Sequence, residues 1–222
     1  MSISQFNFKY IPKGTKSVFD TLSKAPFINK YTLVGGTALS IQIKHRLSED
    51  LDFIYDGETI NKTSIKRNIR KLFSEYRIIK EDENYQIDFI INCSKVTFFS
   101  KGAVLIHFNV KDYASQYKKM NIANPMIIST LKISAIAQRN TIRDYYDLYY
   151  LSKYILSLEE IIRQTKKLVP NLSPITYSET LIYTKDISEN SIAEHLHAEE
   201  IVSKDEISNF FIDELRRIKD RI

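Results

Sequence analysis

Two acidic residues two positions apart, Asp50 and Asp52, carry the clearest chemical signal in the chain. Their neighbourhood, Glu49 to Tyr55, alternates as a strand does. Residues two apart on a strand share a face, so both carboxylates should project together while Leu51 and Phe53 enter the core. Carboxylates that close repel unless a cation lies between them. Mg²⁺ suits the pair, because it takes hard oxygen ligands and leaves positions for water and substrate phosphates. Mn²⁺ would accept the same oxygens.

Upstream lies a second feature that handles phosphate. Tyr31 to Val34 reads as the end of a strand, Gly35-Gly36 as a turn, and Thr37 to Lys44 as a helix with Leu39 and Ile43 four apart. Glycines let the backbone come close to a ligand. The first N–H groups of a helix lack partners and can hold phosphate oxygens. A short polar link containing Ser48 joins this helix to the acidic strand. His45 and Arg46 precede it. Arg46 is the better phosphate ligand, because its fork is fixed and always charged. For His45, phosphate contact and compensation of the helix dipole stay open.

The run LVGGTALSIQIKHRLSEDLDF, Leu33 to Phe53, combines a glycine pair, a helix, His-Arg-x-Ser and Asp-hydrophobic-Asp-Phe. It resembles the nucleotidyltransferase superfamily, and more narrowly the AbiEii/AbiGii nucleotidyltransferase toxin family. The resemblance implies that Gly35, Gly36, Thr37, Arg46 and Ser48 cradle a nucleotide's phosphates. It implies that Asp50 and Asp52 hold a metal. A third carboxylate is expected on the strand next to theirs. Asp88, in the apolar strand YQIDFIIN, matches that place as a metal and catalytic residue; a water-facing edge aspartate is the other reading. The resemblance extends to a lysine helix and an Arg-Asp-x-x-Asp-Leu helix, through Lys132, Ala135, Arg139, Arg143, Asp144, Asp147 and Leu148. Lys132 would meet the triphosphate, with Arg139 beside it. Asp144 would be a catalytic or site-ordering carboxylate, and Asp147 would orient Arg143 or cap the local network. The alternatives are a snorkelling surface lysine at Lys132 and an exposed intrahelical ion pair with Arg143.

By this resemblance the chain moves a nucleoside monophosphate from an NTP to an acceptor hydroxyl. An RNA such as tRNA is the expected acceptor, and the expected role is a toxin or phage-defence effector restrained by a cognate antitoxin. An enzyme that modifies a small molecule such as an antibiotic, and a catalytically silent binding module, are the competing readings.

The elements that must position these residues read as an α+β fold. A mixed sheet with flanking helices, nucleotidyltransferase-like, should occupy residues 1–118, and a helical lobe residues 119–222. Thr63 to Phe73 is an amphipathic helix with Ile65, Ile69, Leu72 and Phe73 on its core side. Arg77–Lys80, Tyr85–Asn92, Val96–Phe99 and Ala103–Val110 are the further expected strands. Beyond them helical spacing dominates, with capping boxes at Ser157–Glu160 and Ser203–Glu206. Tyr145, Tyr146, Tyr149 and Tyr150 could stack on bases, although helix packing is the commoner use of such a stripe.

Composition sets the frame. With 43% hydrophobic and 27% charged residues, the chain is ordinary for a globular protein. No apolar run reaches the roughly 18 residues of a membrane helix. The N-terminus lacks the order of a signal peptide. A single cysteine, Cys93, cannot close an internal disulfide, so a cytoplasmic location is expected, with Cys93 a buried structural thiol. The net charge of +5 suits a polyanionic partner, with basic residues gathered at Lys62–Arg77 and Lys111–Lys119. His195 and His197 lack the nearby ligands that would make a metal pair.

Overall fold

The computed structural model describes residues 6–136, 138–188, 192 and 196–219, apart from the side chains of 174–177. His195 lies outside the described residues. The chain divides into two compact units, Met1–Asn124 and Pro125–Ile222. The division falls at the start of the lysine helix, a few residues beyond the 118/119 boundary read from the sequence.

The first unit is built on a seven-stranded sheet of order β3-β4-β5-β2-β1-β7-β6. Its strands are β1 (Tyr31–Val34), β2 (Leu51–Tyr55), β3 (Arg77–Glu81), β4 (Gln86–Ile91), β5 (Ser94–Ser100), β6 (Ala114–Tyr117) and β7 (Met120–Ala123). β1 runs antiparallel to β2, which lies parallel to β5. Leu33, Phe53, Phe89 and Phe98 are fully buried. Three helices serve the sheet: α1 (Lys13–Leu22), α2 (Gly35–Ile43) and α3 (Lys62–Leu72). α3 buries Ile65 and Ile69 and turns its basic residues outward; Phe73 stands past its end as the C-cap.

Two sequence expectations fail here for local reasons. Ala103–Val110 is not a strand. Lys101–Val104 forms a short helix, α4, which ends at Leu105 in the left-handed region at φ 53°. The Asp56 carboxylate then accepts the N–H groups of Val110 (2.7 Å) and Lys111 (3.2 Å), fixing a 3-10 turn where a ladder bond would be needed. The strand pair comes later, as the β6–β7 hairpin turning at Lys118. Cys93 is exposed, not buried. With Asn92 (φ 48°) and Cys93 (φ 64°) it makes the two-residue turn between β4 and β5, and the tip of a hairpin faces water.

The second unit is helical: α5 (Pro125–Ile136), α6 (Ile142–Tyr154), α7 (Leu158–Leu168), α8 (Pro174–Ile182) and α9 (Lys204–Ile218). Both expected capping boxes are present, at Ser157/Glu160 and Ser203/Glu206. α5 packs against α6, α7 and α8, and α9 against α6 and α8. Tyr145, Tyr146 and Tyr149 are buried in this packing, and the Tyr145 hydroxyl donates to the Thr180 carbonyl at 2.8 Å. Their rings serve the helical core. No helix among the described residues is long and apolar enough to cross a membrane.

Candidate active site

β1 passes directly into α2 at the glycine pair. Gly35 takes φ 72°, a backbone conformation that side chains with a Cβ resist, and α2 starts there with no side-chain cap on its first N–H groups. Val34 is in register with Asp52 on β2. A Cβ at Gly35 would lie 2.7 Å from Asp52 Oδ2. A Cβ at Gly36 would lie 2.7 Å from Arg46 Nη2 and 2.8 Å from Ser48 Oγ. Both glycines are therefore needed for close approach, and the space they free is bordered by a carboxylate, a guanidinium and a hydroxyl.

The link after α2 is pinned in place. Lys44, at φ 60°, ends the helix and turns the chain back. The Thr37 hydroxyl donates to the Asp50 carbonyl and pairs with the Ser48 hydroxyl at 3.0 Å. Arg46 is buried, and its Nη1 donates to the Leu47 carbonyl at 2.8 Å. Ser48 N–H reaches the Tyr10 carbonyl at 3.1 Å, and Thr15 on α1 holds the Glu49 carbonyl at 2.9 Å. Gly35, Gly36, Thr37, Arg46, Ser48 and Asp52 thus come together as the sequence suggested. β2 begins at Leu51, so Asp50 immediately precedes the strand; both aspartates are half-buried.

Asp88 is placed differently from expectation. β4 is not the neighbour of β2, because β5 lies between them. Asp52 pairs with Thr97, and Thr97 with Asp88, so Asp88 stands two strands away, about 10 Å at the usual strand spacing. It is buried and held by Lys95 at 3.0 Å and Gln86 at 2.8 Å. The neighbouring slot belongs to Thr97, whose buried Oγ1 has no hydrogen-bond partner among the described residues. Sequence reasoning passed over Thr97; a hydroxyl inside the apolar run SKVTFFS was the available signal.

In the second unit, Lys132 is a buried charge. Its Nζ lies 2.7 Å from Asp144 Oδ1 and 2.6 Å from Asp147 Oδ2. Asp144 also takes Arg139 Nε at 3.0 Å and the Thr141 hydroxyl at 2.7 Å. Burial alone would raise the Asp144 carboxyl, but the charges of Lys132 and Arg139 and the hydrogen bonds from Lys132 and Thr141 outweigh it and hold it below its ordinary value. Arg143 is exposed and makes no ion pair among the described residues, so Asp147 does not orient it. The reason is helix phase: α6 points Asp144 and Asp147 to its buried side and Arg143 to water. The surface-lysine reading of Lys132 fails because α5 buries it, leaving it 5% exposed.

The donor set beside the glycine turn fits a hard divalent ion. Asp50 and Asp52 offer oxygen ligands, and Mg²⁺ is commonly held by one or two carboxylates with water and phosphates completing its shell. No group of three or more metal-ligating side chains occurs among the described residues.

A model of the family described as nucleotidyl transferase AbiEii toxin, type IV toxin–antitoxin system, matches residues 17–125. The uncharacterised protein aq_aa25 of Aquifex aeolicus is 30% identical over 181 residues, covering 81% of this chain and 85% of that protein. The chain belongs to the AbiEii nucleotidyltransferase toxin family. Two solved structures from Helicobacter pylori have a similar fold. JHP933 gives a TM-score of 0.53 at 16% identity, over 97% of this chain and 96% of its own. A second, described as a nucleotidyltransferase, gives 0.54 at 17% identity, over 100% and 97%. The AbiEii match spans the glycine turn, Asp50, Asp52 and Asp88, and it makes the chain a nucleotidyltransferase. Lys132, Asp144 and Asp147 lie beyond the matched residues.

Proposed function

We propose that this AbiEii-family enzyme transfers a nucleoside monophosphate from an NTP to a hydroxyl of RNA, and that a cognate antitoxin restrains it. The observation that carries the reading is the glycine pair, with Asp52 close against Gly35 and Arg46 and Ser48 close against Gly36. Uncapped N–H groups at the start of α2 suit phosphate oxygens, and Arg46 places a fixed positive charge beside Gly36. Asp50 and Asp52 would hold Mg²⁺ or Mn²⁺, which when bound offsets the charge of the phosphates. In the reaction the acceptor hydroxyl gives up its proton to solvent, its oxygen bonds to the α-phosphorus, the bond from that phosphorus to the bridging oxygen breaks, and pyrophosphate leaves.

Within the second unit, Asp144 and Asp147 are positioning residues for Lys132, since each touches its ammonium. A carboxyl held below its ordinary value is a weak base, so Asp144 is not assigned proton abstraction. RNA as acceptor is supported by α3, where exposed Arg67, Arg70 and Lys71 make no ion pair among the described residues. Such a row of cations suits a phosphate backbone.

The test is incubation with each labelled NTP and total RNA. Wild-type protein should label RNA with at least one NTP, and the Asp50→Ala, Asp52→Ala double variant should not. Labelling by the double variant would overturn the assignment of the site.

A further inference from the structure

The antiparallel pair of β1 and β2 has two ends. At one, Val34 faces Asp52; at the other, Tyr31 faces Tyr55. The two ends are three steps apart along β1, about 10 Å. At the tyrosine end opens a pocket of about 590 Å³. Lys30, Tyr31, Tyr55, Asn61, Lys62 and Thr63 line it, and no carboxylate is among the lining residues described.

Three features of this pocket point to an anion. First, Tyr31 is only 6% exposed, its ring walled by Phe27, Tyr55 and Phe98, yet its hydroxyl has no hydrogen-bond partner among the described residues. A buried tyrosine normally finds one. The ring is buried but the hydroxyl itself reaches solvent, and Tyr31 lines the cavity. Burial, reinforced by Tyr55, pushes its pKa up to about 12, so it remains a donor at any physiological pH. Second, the eleven-residue helix α3 starts in the pocket. The Asn61 side chain caps Ser64 N–H at 2.8 Å, which leaves the N–H groups of Lys62 and Thr63 uncapped. Third, the Lys30 ammonium forms no ion pair among the described residues, while Lys62 is held by the Asp82 carbonyl and by Glu81 at 3.6 Å.

We propose that this pocket is a second, non-catalytic binding site for a phosphate group, carried by a free nucleotide or by a nucleic-acid backbone. Its volume lies in the range of pockets that hold small ligands and cofactors. Tyr31, Lys30 and the amides of Lys62 and Thr63 donate to the phosphate oxygens. The site does not depend on the glycine turn and stands whether or not the transfer reaction proposed above is correct.

Amide resonance titration of the full chain tests it, with inorganic phosphate, a nucleoside monophosphate and a short oligoribonucleotide as separate probes. Saturable shifts at Lys62 to Ser64 are expected with at least one probe. Response to all three identifies the phosphate group alone as sufficient; response only to the oligonucleotide identifies the backbone as its source, and both support the site. Tyr31→Phe keeps the ring and should weaken the dissociation constant roughly tenfold, the order of one hydrogen bond to a charged group. Lys30→Gln, at an exposed position, should weaken it too, and it keeps the test valid if Tyr31→Phe disturbs folding. No saturable shift at Lys62 to Ser64, shifts confined to Gly35 to Thr37, or unaltered affinity in both variants would overturn the proposal.

Discussion

Replacing Lys132 with methionine isolates the charge at the centre of the helical unit. Methionine retains most of the buried stem, so the ammonium is the main loss. The side chains of Lys132, Asp144 and Asp147 are 7%, 4% and 0% exposed, and the two ion pairs are 2.7 and 2.6 Å long. Asp144 would keep Arg139 and Thr141, whereas fully buried Asp147 would lose the cation 2.6 Å away. Removing one member of a buried ion pair costs about 3–5 kcal/mol, because the charge left behind is desolvated. For a chain of this size that is about 6–20 °C in Tm. Arg139→Gln is the control: its side chain is 64% exposed, and its removal should cost under about 1 kcal/mol. The double variant Lys132→Met, Asp147→Asn should be more stable than the sum of the two single effects by about 1 kcal/mol or more. Thermal unfolding followed by far-UV circular dichroism gives each value. A Lys132→Met cost below about 1 kcal/mol would refute the reasoning, since it would mean that the lysine behaves as a solvated surface charge.

Gly35→Ala should lower stability by about 1–2 kcal/mol for its left-handed backbone. It should also abolish transfer, because its Cβ would press on Asp52 Oδ2 from 2.7 Å; full activity in this variant would contradict the tight turn. Asp144 predicts the acid limb of stability. Its folded value lies below the ordinary 3.8, so its contribution is complete above that pH and is lost as pH falls through the lowered folded value. Asp144→Asn should flatten the stability–pH curve below about pH 4, measured by Tm in a buffer series; an unchanged curve would contradict the shift. Changing Arg67, Arg70 and Lys71 together to glutamine should weaken RNA binding, with NTP binding unaltered. The log–log salt slope should become shallower by about 0.7 for each phosphate that is no longer neutralised. An unchanged slope, measured by filter binding, would remove α3 from the RNA surface.

The parts of the site that were legible from the sequence are those held by short-range connectivity. Gly35, Gly36, Arg46, Ser48 and Asp52 lie on one strand–helix–strand run, and the Val34–Asp52 register closes it. Strand type and glycine spacing were enough. Asp88 was misplaced because strand order is a tertiary property. Sequence periodicity identified β4 as apolar, yet gave no means to see β5 inserted between it and β2. Lys132, Asp144 and Asp147 were recognised as a set, but their mutual pairing depends on how α5 packs on α6. The helix-face argument that joined Asp147 to Arg143 could not tell which side of α6 would be buried. Cys93 misled in the opposite direction: its apolar neighbours suggested the core, while the left-handed backbone of Asn92 and Cys93 makes a hairpin tip. Ala103–Val110 has the composition of a strand, and lost to a short helix and to a side-chain carboxylate, Asp56, that took the amides of Val110 and Lys111.

The central claim is that Asp50, Asp52 and the glycine turn hold a nucleotide together with its metal. Calorimetric titration of each NTP into wild-type protein and into the Asp50→Asn, Asp52→Asn variant, with and without Mg²⁺, tests it most directly. The account predicts Mg²⁺-dependent binding of at least one NTP to the wild type and its loss in the variant. Equal affinity in the two proteins, or wild-type binding indifferent to Mg²⁺, would contradict it.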